Sequence, residues 1–356
     1  MKPIVEIVRV EDRTQLERWY DLYDECADLD DPDGPRPATS DDVAESVAGP
    51  VRGLLHGRRS FVGWWSQNSG DIDQETWLAT DGSGAVVGGF LVELPREDYL
   101  HVAFCFVVVA PGRRGKRVGR ELLRRSARVI SAAGRSTIIY YTRDGSAGDR
   151  FIRKIGATVA GPTDTRRILD LDDESRQRQA KARASLPASD DYDVVAWSGP
   201  AEEEYLPGLA RLFDAMADAP RPDTMPPEVW TPERVRADEA RIRDRGSVVM
   251  KALAVHRQTC QPVAFTEVMF DRALPAWAFQ GMTVVLPSHR GKSLGLMVKS
   301  ALNEMVYASH PHVSHVMTTN NSTNRHIIAI NERIGFRATA DFTPWELPVA
   351  KANEAK

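Results

Sequence analysis

Cysteine is scarce. Three residues in 356 (Cys26, Cys105 and Cys260) with no paired spacing exclude a disulfide scaffold and a cysteine-rich zinc site, and they point to a reducing compartment. No apolar run approaches the length needed to span a bilayer. The opening residues, Met1-Lys2-Pro3-Ile4-Val5-Glu6, lack the apolar stretch of a secretory signal. Charge of one sign is not in excess: 46 Lys and Arg stand against 50 Asp and Glu, a net charge of −4, which argues against a nucleic-acid binder with a basic face. These absences predict a cytoplasmic protein with neither a membrane nor a nucleic-acid partner. A hydrophobic content of 42% and a charged content of 27% are ordinary for a globular chain. The length accommodates two cores of about 170–180 residues each.

Two common phosphate-binding signatures are missing as well. The G-x-G-x-x-G spacing of dinucleotide folds is absent. Gly291-Lys292-Ser293 ends like a nucleotide-triphosphatase loop, but that motif needs a glycine five residues earlier, where Leu286 stands; Ala110 holds the equivalent place in the first half. What is present is a segment that occurs twice. Val108-Val109-Ala110-Pro111-Gly112-Arg113-Arg114-Gly115-Lys116-Arg117-Val118-Gly119 is echoed by Val284-Val285-Leu286-Pro287-Ser288-His289-Arg290-Gly291-Lys292-Ser293-Leu294-Gly295, with Arg114 and Arg290 176 residues apart.

Each copy leads from an apolar strand, through a basic glycine loop, into an amphipathic helix. Val118, Leu122, Leu123, Ala127 and Ile130 share one face of the first helix, and Leu294, Met297, Val298, Ala301, Leu302 and Met305 share one face of the second. A helix start leaves backbone N–H groups unpaired and carries partial positive charge, so a phosphate docks there. The spacing therefore predicts two nucleotide-type cofactor loops.

Strand–Val-x-Pro-x-x-Arg-Gly-Lys-x-x-Gly–helix resembles the acyl-CoA signature R-x-x-G-x-G/A of the GNAT superfamily of N-acetyltransferases. Asn324, then Asn331 and Arg333-Ile334-Gly335-Phe336, resembles the closing N-x6-Y-x-x-x-G-F segment of that family. The resemblance covers most of both halves and implies a tandem GNAT, a layout shared with mycothiol synthase. The implied fold class is α/β (α+β in some schemes), each half a mixed twisted sheet flanked by helices. The implied division is an N-terminal GNAT-like domain over 1–175, a linker over 176–190, and a catalytic C-terminal domain over 191–356.

The resemblance also implies the chemistry: direct acetyl transfer from acetyl-CoA to a primary amine of a small molecule in a ternary complex, with no metal, by a monomer or homodimer. Cofactor contacts carried over are Thr283, Val284, Val285, Arg290, Gly291, Lys292, Ser293, Leu294, Gly295 and Asn324. Those of the first half are Val109, Arg114, Gly115, Lys116, Arg117, Val118 and Gly119. The N–H of Val285 would polarise the thioester carbonyl. Two departures stand out. The middle loop glycine is replaced by Arg117 and Ser293. Asn331 occupies the place of the family tyrosine that protonates the departing thiolate, and an amide is no acid; in the first half Ile152 stands there. The missing tyrosine supports an alternative, a non-catalytic acyl-CoA-binding or regulatory protein.

The coarse reading places strands at Ile4–Val10, Trp77–Thr80, Ala85–Glu93, His101–Val109, Thr137–Thr142 and Arg166–Leu171. Early helices are read at Gln15–Cys26 and about Asp41 to Leu55, an acidic loop from Asp28 to Ser40, and an exposed linker from Asp172 to about Ser189. The second half repeats the order: strands at Asp193–Trp197, Val248–Val255, Pro262–Phe270, Ala276–Val285 and His315–Thr319, a helix at Glu203–Ala217, and a helix opened by Thr231-Pro232. Between those helices Ala219–Pro227 carries four prolines, in the region that closes over the acyl acceptor in the family.

Several residues have two readings. Glu267, in an otherwise apolar strand, is a candidate general base for the substrate ammonium, or else faces solvent or pairs with an arginine. Gln280 and Thr283 orient substrate or fill a polar sheet face. His289, His310, His312, His315 and His326 cluster in the sequence, but without carboxylate or Cys partners they read as surface or packing residues rather than ligands. The acidic run Asp28-Leu29-Asp30-Asp31-Pro32-Asp33 attracts a cationic amine or is a solvated loop. Tyr140-Tyr141 and Trp64-Trp65 read as packing residues, with a rescuing acid and a pocket wall as the sharper alternatives.

Overall fold

A computed structural model describes residues 5–35, 72–185, 191–219, 221–222, 224–244, 247–271 and 274–354. The helix read at Asp41 to Leu55 and the Trp64-Trp65 pair lie outside the described residues. In the first half the strands are β1 (Glu6–Arg9), β2 (Ile72–Thr80), β3 (Val86–Pro95), β4 (Val102–Val109), β5 (Thr137–Arg143), β6 (Thr158–Val159) and β7 (Asp164–Asp170). The helices there are α1 (Arg13–Asp30), α2 (Val118–Ala132) and α3 (Ala147–Lys154), and α4 (Asp173–Ala184) follows β7. The second half carries β8 (Tyr192–Ser198), β9 (Val248–His256), β10 (Gln261–Phe270), β11 (Trp277–Val285), β12 (His315–Asn321) and β13 (Arg337–Pro348). Its helices are α5 (Leu206–Asp214), α6 (Pro232–Asp244), α7 (Leu294–Ser309), α8 (Arg325–Ile334) and α9 (Val349–Glu354).

Thirteen strands form one mixed sheet in the order β1-β2-β3-β4-β5-β13-β7-β12-β11-β10-β9-β8, with β6 beside β13. The sheet order departs from chain order at its centre. The last strand of each half lies in the other half's sheet: β13 pairs with β5, and β7 pairs with β12. The exchanged strands and the helices that follow them, α9 and α4, bring side chains into the partner core. Trp345, Leu347, Val349 and Ala352 pack with Leu122, Ile138 and Tyr140 of the first half, and Leu169 and Ala182 pack with Val298, Leu302 and Val316 of the second. Trp345 Nε1 donates to Thr142 Oγ1 at 2.8 Å, so the indole is satisfied in its borrowed core.

This exchange decides the fate of the segment read as a linker. From Asp172, whose side chain caps the helix by accepting the Ser175 N–H, the chain runs as α4 against the second half. Gln179 Oε1 accepts from Asn303 Nδ2 at 2.9 Å, and Ser175 and Gln179 both bond the Tyr307 hydroxyl. The cover that α4 provides explains a difference on α7. Its buried residues include Lys299, Ser300 and Asn303 as well as Leu294, Val298 and Leu302, while Met297, Ala301 and Met305 are only partly buried. The helix is buried around much of its girth because α4 and α8 flank it, so a single apolar stripe does not describe it.

The acidic run is solvated in part: Asp28, Leu29, Pro32 and Asp33 are exposed, while Asp30 and Asp31 are held from within the protein. Helix α1 continues to Asp30, past the expected start of the loop. Arg114 then holds Asp30 through two bonds of 2.9 and 2.6 Å, and the fully buried Arg166 holds Asp31 through two of 2.6 and 2.7 Å. Bidentate guanidinium–carboxylate pairing of this kind fixes geometry as well as charge. It ties the end of α1 to the first glycine loop and to the exchanged strand β7.

Candidate active site

Both repeated segments fold alike. Pro111–Arg113 and Pro287–His289 each form one 3-10 turn, and α2 and α7 start at Val118 and Leu294. Gly115 and Gly291 take φ of 76° and 79°, where glycine is at ease. Arg117 (φ 68°) and Ser293 (φ 57°), at the place of the family's middle glycine, also adopt the left-handed region. An L side chain there costs about 1 kcal/mol. Arg117→Gly and Ser293→Gly are each expected to stabilise the fold by about that amount, read as a rise in the urea midpoint at unchanged slope.

The arginines of these loops are committed to structure. Arg114 Nε donates to the Val109 carbonyl at 3.1 Å while its other nitrogens hold Asp30, and Arg290 Nε donates to the Val285 carbonyl at 3.2 Å and pairs with Asp218 at 3.0 Å. Lys292 donates to the Tyr192 hydroxyl at 2.9 Å, and Lys116 to the Gly112 carbonyl at 3.0 Å. A phosphate brought to these loops would therefore meet mainly the first amides of α2 and α7.

Ahead of each loop the sheet opens. β11 pairs with β12 only over Trp277–Phe279, and β4 with β5 only over Val102–Phe104. Leu286 N–H bonds the Val263 carbonyl at 2.9 Å. Antiparallel pairs alternate between bonded and non-bonded, so the backbone groups of Val285 and Thr283 point away from β10, into the gap left by β12. The Val285 carbonyl is taken by Arg290, and its N–H faces the opening. Ala110 N–H bonds Val87 in the same way, which turns Val109 toward the first-half gap.

In the second half this opening is a cleft of about 140 Å³. On one side lie Phe213, Met216 and Trp230, together with Tyr99 and Glu228; across the gap lie Lys299, Asn320, Asn324 and Ile327, with Gly281, Met282 and Thr283 of β11 between. A bulge shapes the β11 wall, where Gln280 to Thr283 stand opposite Thr266 to Val268. Asn324 caps α8 by accepting the Ile327 N–H at 3.3 Å. The wall on the Glu228 side is built by both halves. Met225 packs with Tyr99, Val102, Phe104 and Ile139 of the first half, and His101 Nε2 meets the Thr224 carbonyl at 2.9 Å. Tyr99, which lines the second-half cleft, sits at φ 52°, a strained conformation for a bulky residue, with its hydroxyl turned to Glu228.

Besides Tyr99, whose hydroxyl is pushed up by burial, three ionisable groups in or beside this cleft are perturbed. Tyr99 Oη donates to Glu228 Oε1 at 3.2 Å, and burial, reinforced by Asp98, pushes the Glu228 carboxyl up to about 7 although Arg234 stands 3.7 Å away. Glu267, the base expected from the sequence, lies behind the cleft. It is buried under Gly281, where an added Cβ would come 2.9 Å from its Oε1, and it accepts the Met282 N–H. Burial raises it to about 7 despite the nearby Lys251, whose ammonium pairs with Glu239 of α6. The third group, Lys299, is fully buried and is lowered to about 7 by desolvation.

Asn331 does not reach the cleft as an acid would. It is sealed at 0% exposure, with Nδ2 donating to Asn320 Oδ1 at 2.6 Å and Oδ1 accepting from Lys299 Nζ at 2.9 Å. Gln280 is likewise turned inward, donating to Thr266 Oγ1 and the Glu267 carbonyl, whereas Thr283 lines the cleft. Tyr140 is buried in the first-half core. The histidines are spread out: His289 against Tyr192 and His256, His315 on Asp170 and Trp277, His310 stacked on Phe270, and His326 exposed. Among the described residues no group of His, Cys, Asp and Glu is arranged to hold a metal, and no helix is long and apolar enough to cross a membrane.

Tyr99, Glu228 and Lys299 were not singled out in the sequence. Tyr99 is contributed from the other half. Glu228 had a weak signal, an acid next to the proline loop. Lys299 had a better one, since it lies four residues after Gly295 and so on the same helix face as the loop glycine.

No family model matches the chain, and no curated protein matches it. Solved structures do. A tandem GNAT protein from the clavulanic acid biosynthesis pathway is 25% identical, with 97% of this chain covering 98% of that one at a TM-score of 0.73. A GCN5-related N-acetyltransferase from Sphaerobacter thermophilus is 14% identical, with 96% of each chain covered at 0.66. A GCN5-related glucosamine N-acetyltransferase region of a fungal multi-domain beta-N-acetylglucosaminidase is 13% identical; 97% of this chain spans 38% of that longer one at 0.59. With two repeated strand–loop–helix units, a sheet that opens in each half, and these neighbours along nearly its whole length, the chain has the tandem GNAT fold.

Proposed function

We propose that the second-half cleft transfers an acetyl group from acetyl-CoA to a primary amine of a small molecule. The observation that carries this is the cleft itself. It joins Gly281–Thr283 of β11, next to the opening that the Val285 N–H faces, to a raised carboxylate on the far wall. The pyrophosphate docks on the amides from Gly291 to Gly295, and the pantetheine arm runs along Thr283–Val285 and past Asn324. The Val285 N–H donates to the thioester oxygen, stabilising the oxyanion as the carbonyl carbon becomes tetrahedral.

The amine enters from the side of Tyr99, Phe213, Met216, Glu228 and Trp230. Glu228 takes its proton, and the aromatic wall positions the apolar part of the substrate. A carboxylate whose pKa lies near 7 suits this role, since it is largely ionised just above neutrality yet basic enough to accept a proton. Glu267 contributes as a buried partner of the bulge through the Met282 N–H. The strand exchange and the Met225 anchor fit the division of labour, with the first half forming part of the acceptor wall. Thiol release from acetyl-CoA, measured with a panel of amino sugars, aminoglycosides, amino acids and simple amines, tests the reading. Saturable, amine-dependent release with at least one of them is the expected result. Acetyl-CoA binding with no release for any amine would favour the non-catalytic acyl-CoA-binding alternative.

A further inference from the structure

We infer that Lys299 is the proton donor to the departing CoA thiolate, standing in for the tyrosine that position 331 lacks. This rests on the acetyl-transfer reading above and deepens it. Lys299 is 1% exposed, lines the cleft with Thr283, Asn320 and Asn324, and places Nζ 2.9 Å from the Oδ1 of Asn331. Asparagine is much shorter than tyrosine, so the space at position 331 is filled from α7 instead of α8, and the proton-bearing atom is an ammonium rather than a phenol.

An ammonium buried this deeply normally has a carboxylate partner. Among the described residues no carboxylate pairs with Lys299. Its neighbours are the Asn331 amide and the face of Phe336, whose ring centroid lies 5.4 Å from Nζ. Only burial acts on its titration, which brings it to about 7, where an ammonium gives up a proton readily. The ionisable groups that share the cleft are Asp164 on β7, Tyr99, Arg221 and Glu228. The first half lacks the device: 176 residues earlier, at the same turn of α2, stands the fully buried Leu123.

The amine nitrogen bonds to the thioester carbon and loses its proton to Glu228. The C–S bond breaks, and sulfur leaves with the electron pair. The proton on Nζ moves to sulfur, forming the thiol of CoA and a neutral amine on Lys299. Solvent then returns a proton to Lys299, and Glu228 releases its own.

The test compares Lys299→Met and Lys299→Arg with the unmodified protein, by acetyl-CoA calorimetry and by pH profiles of turnover with the best amine of the panel. Both variants are expected to bind acetyl-CoA within about 3-fold of the unmodified protein. Both lose turnover about 10²-fold at pH 7, in the usual range for one proton transfer. Both also lose the fall in rate above neutrality that deprotonation of Lys299 imposes on the unmodified protein. Arginine keeps the charge but is too weak an acid to donate. Full activity in Lys299→Arg would therefore overturn proton donation in favour of a purely electrostatic role. An unchanged rate and alkaline limb in Lys299→Met would overturn any role of the lysine and leave acetyl transfer standing. An unmodified protein that turns over no amine would remove acetyl transfer itself, and the lysine assignment with it.

Discussion

Glu228→Gln is expected to lower turnover by about 10²–10⁴-fold, the range for loss of a positioned general base. Acetyl-CoA affinity should stay within a few-fold, because Glu228 lies across the gap from the cofactor loop. Glutamine keeps the shape and can still accept from Tyr99, so the loss isolates the proton-accepting function. The pH dependence follows from the direction of the shift. Burial and Asp98 raise the Glu228 carboxyl to about 7. The base works when ionised, so the rate falls as pH drops through about 7, well above the ordinary carboxylate range near 4.3. Lys299, lowered to about 7 and active when protonated, makes the rate fall again above neutrality. The unmodified enzyme should show a narrow bell centred near pH 7. Glu228→Gln removes the acid limb and Lys299→Met removes the alkaline one, so the two groups are separable. An acid limb that persists in Glu228→Gln would transfer the base to another group, of which Glu267 is the nearest candidate.

Gly295→Glu is expected to weaken acetyl-CoA binding by at least about 100-fold. Two effects add. A Cβ at this position would lie 3.0 Å from Ile330 Cδ1, tighter than most real contacts, so the Ile330 side chain must give way beside the loop. A carboxylate would also stand at the helix start where we propose the pyrophosphate docks. There it satisfies the free amides itself and repels the incoming phosphates. The same change in the first half meets only Phe151 and Val109 at 3.6 Å, ordinary contact distances. Gly119→Glu is therefore the matched control for folding and for nonspecific charge.

Much of this site was legible because it is local. The glycine loops, helix starts and Asn324 cap depend on residues within a few positions of one another, and the duplicated pattern exposed them. What was not legible depends on distant partners. Arg114 reads as a phosphate ligand until Asp30, 84 residues earlier, is seen to hold it. Nothing in the residues of β7 or β13 states that each lies in the other half's sheet. Tyr99 and Glu228 meet across 129 residues because Met225 anchors the proline loop to the first-half core. Glu267 looked like the base because an acid in an apolar strand draws the eye; the bulge opposite it turns the carboxylate behind Gly281. Lys299 hid in a helix assumed to bury a single apolar stripe, whereas α4 covers a second face.

The central claim is that the second half holds the working acetyl-CoA site. A calorimetric titration of acetyl-CoA into the unmodified protein, Gly119→Glu and Gly295→Glu tests it most directly. The account predicts saturable binding by the unmodified protein and by Gly119→Glu, at affinities within a few-fold of each other, and its loss in Gly295→Glu. Binding abolished by Gly119→Glu and preserved in Gly295→Glu would contradict it and move the site to the first half.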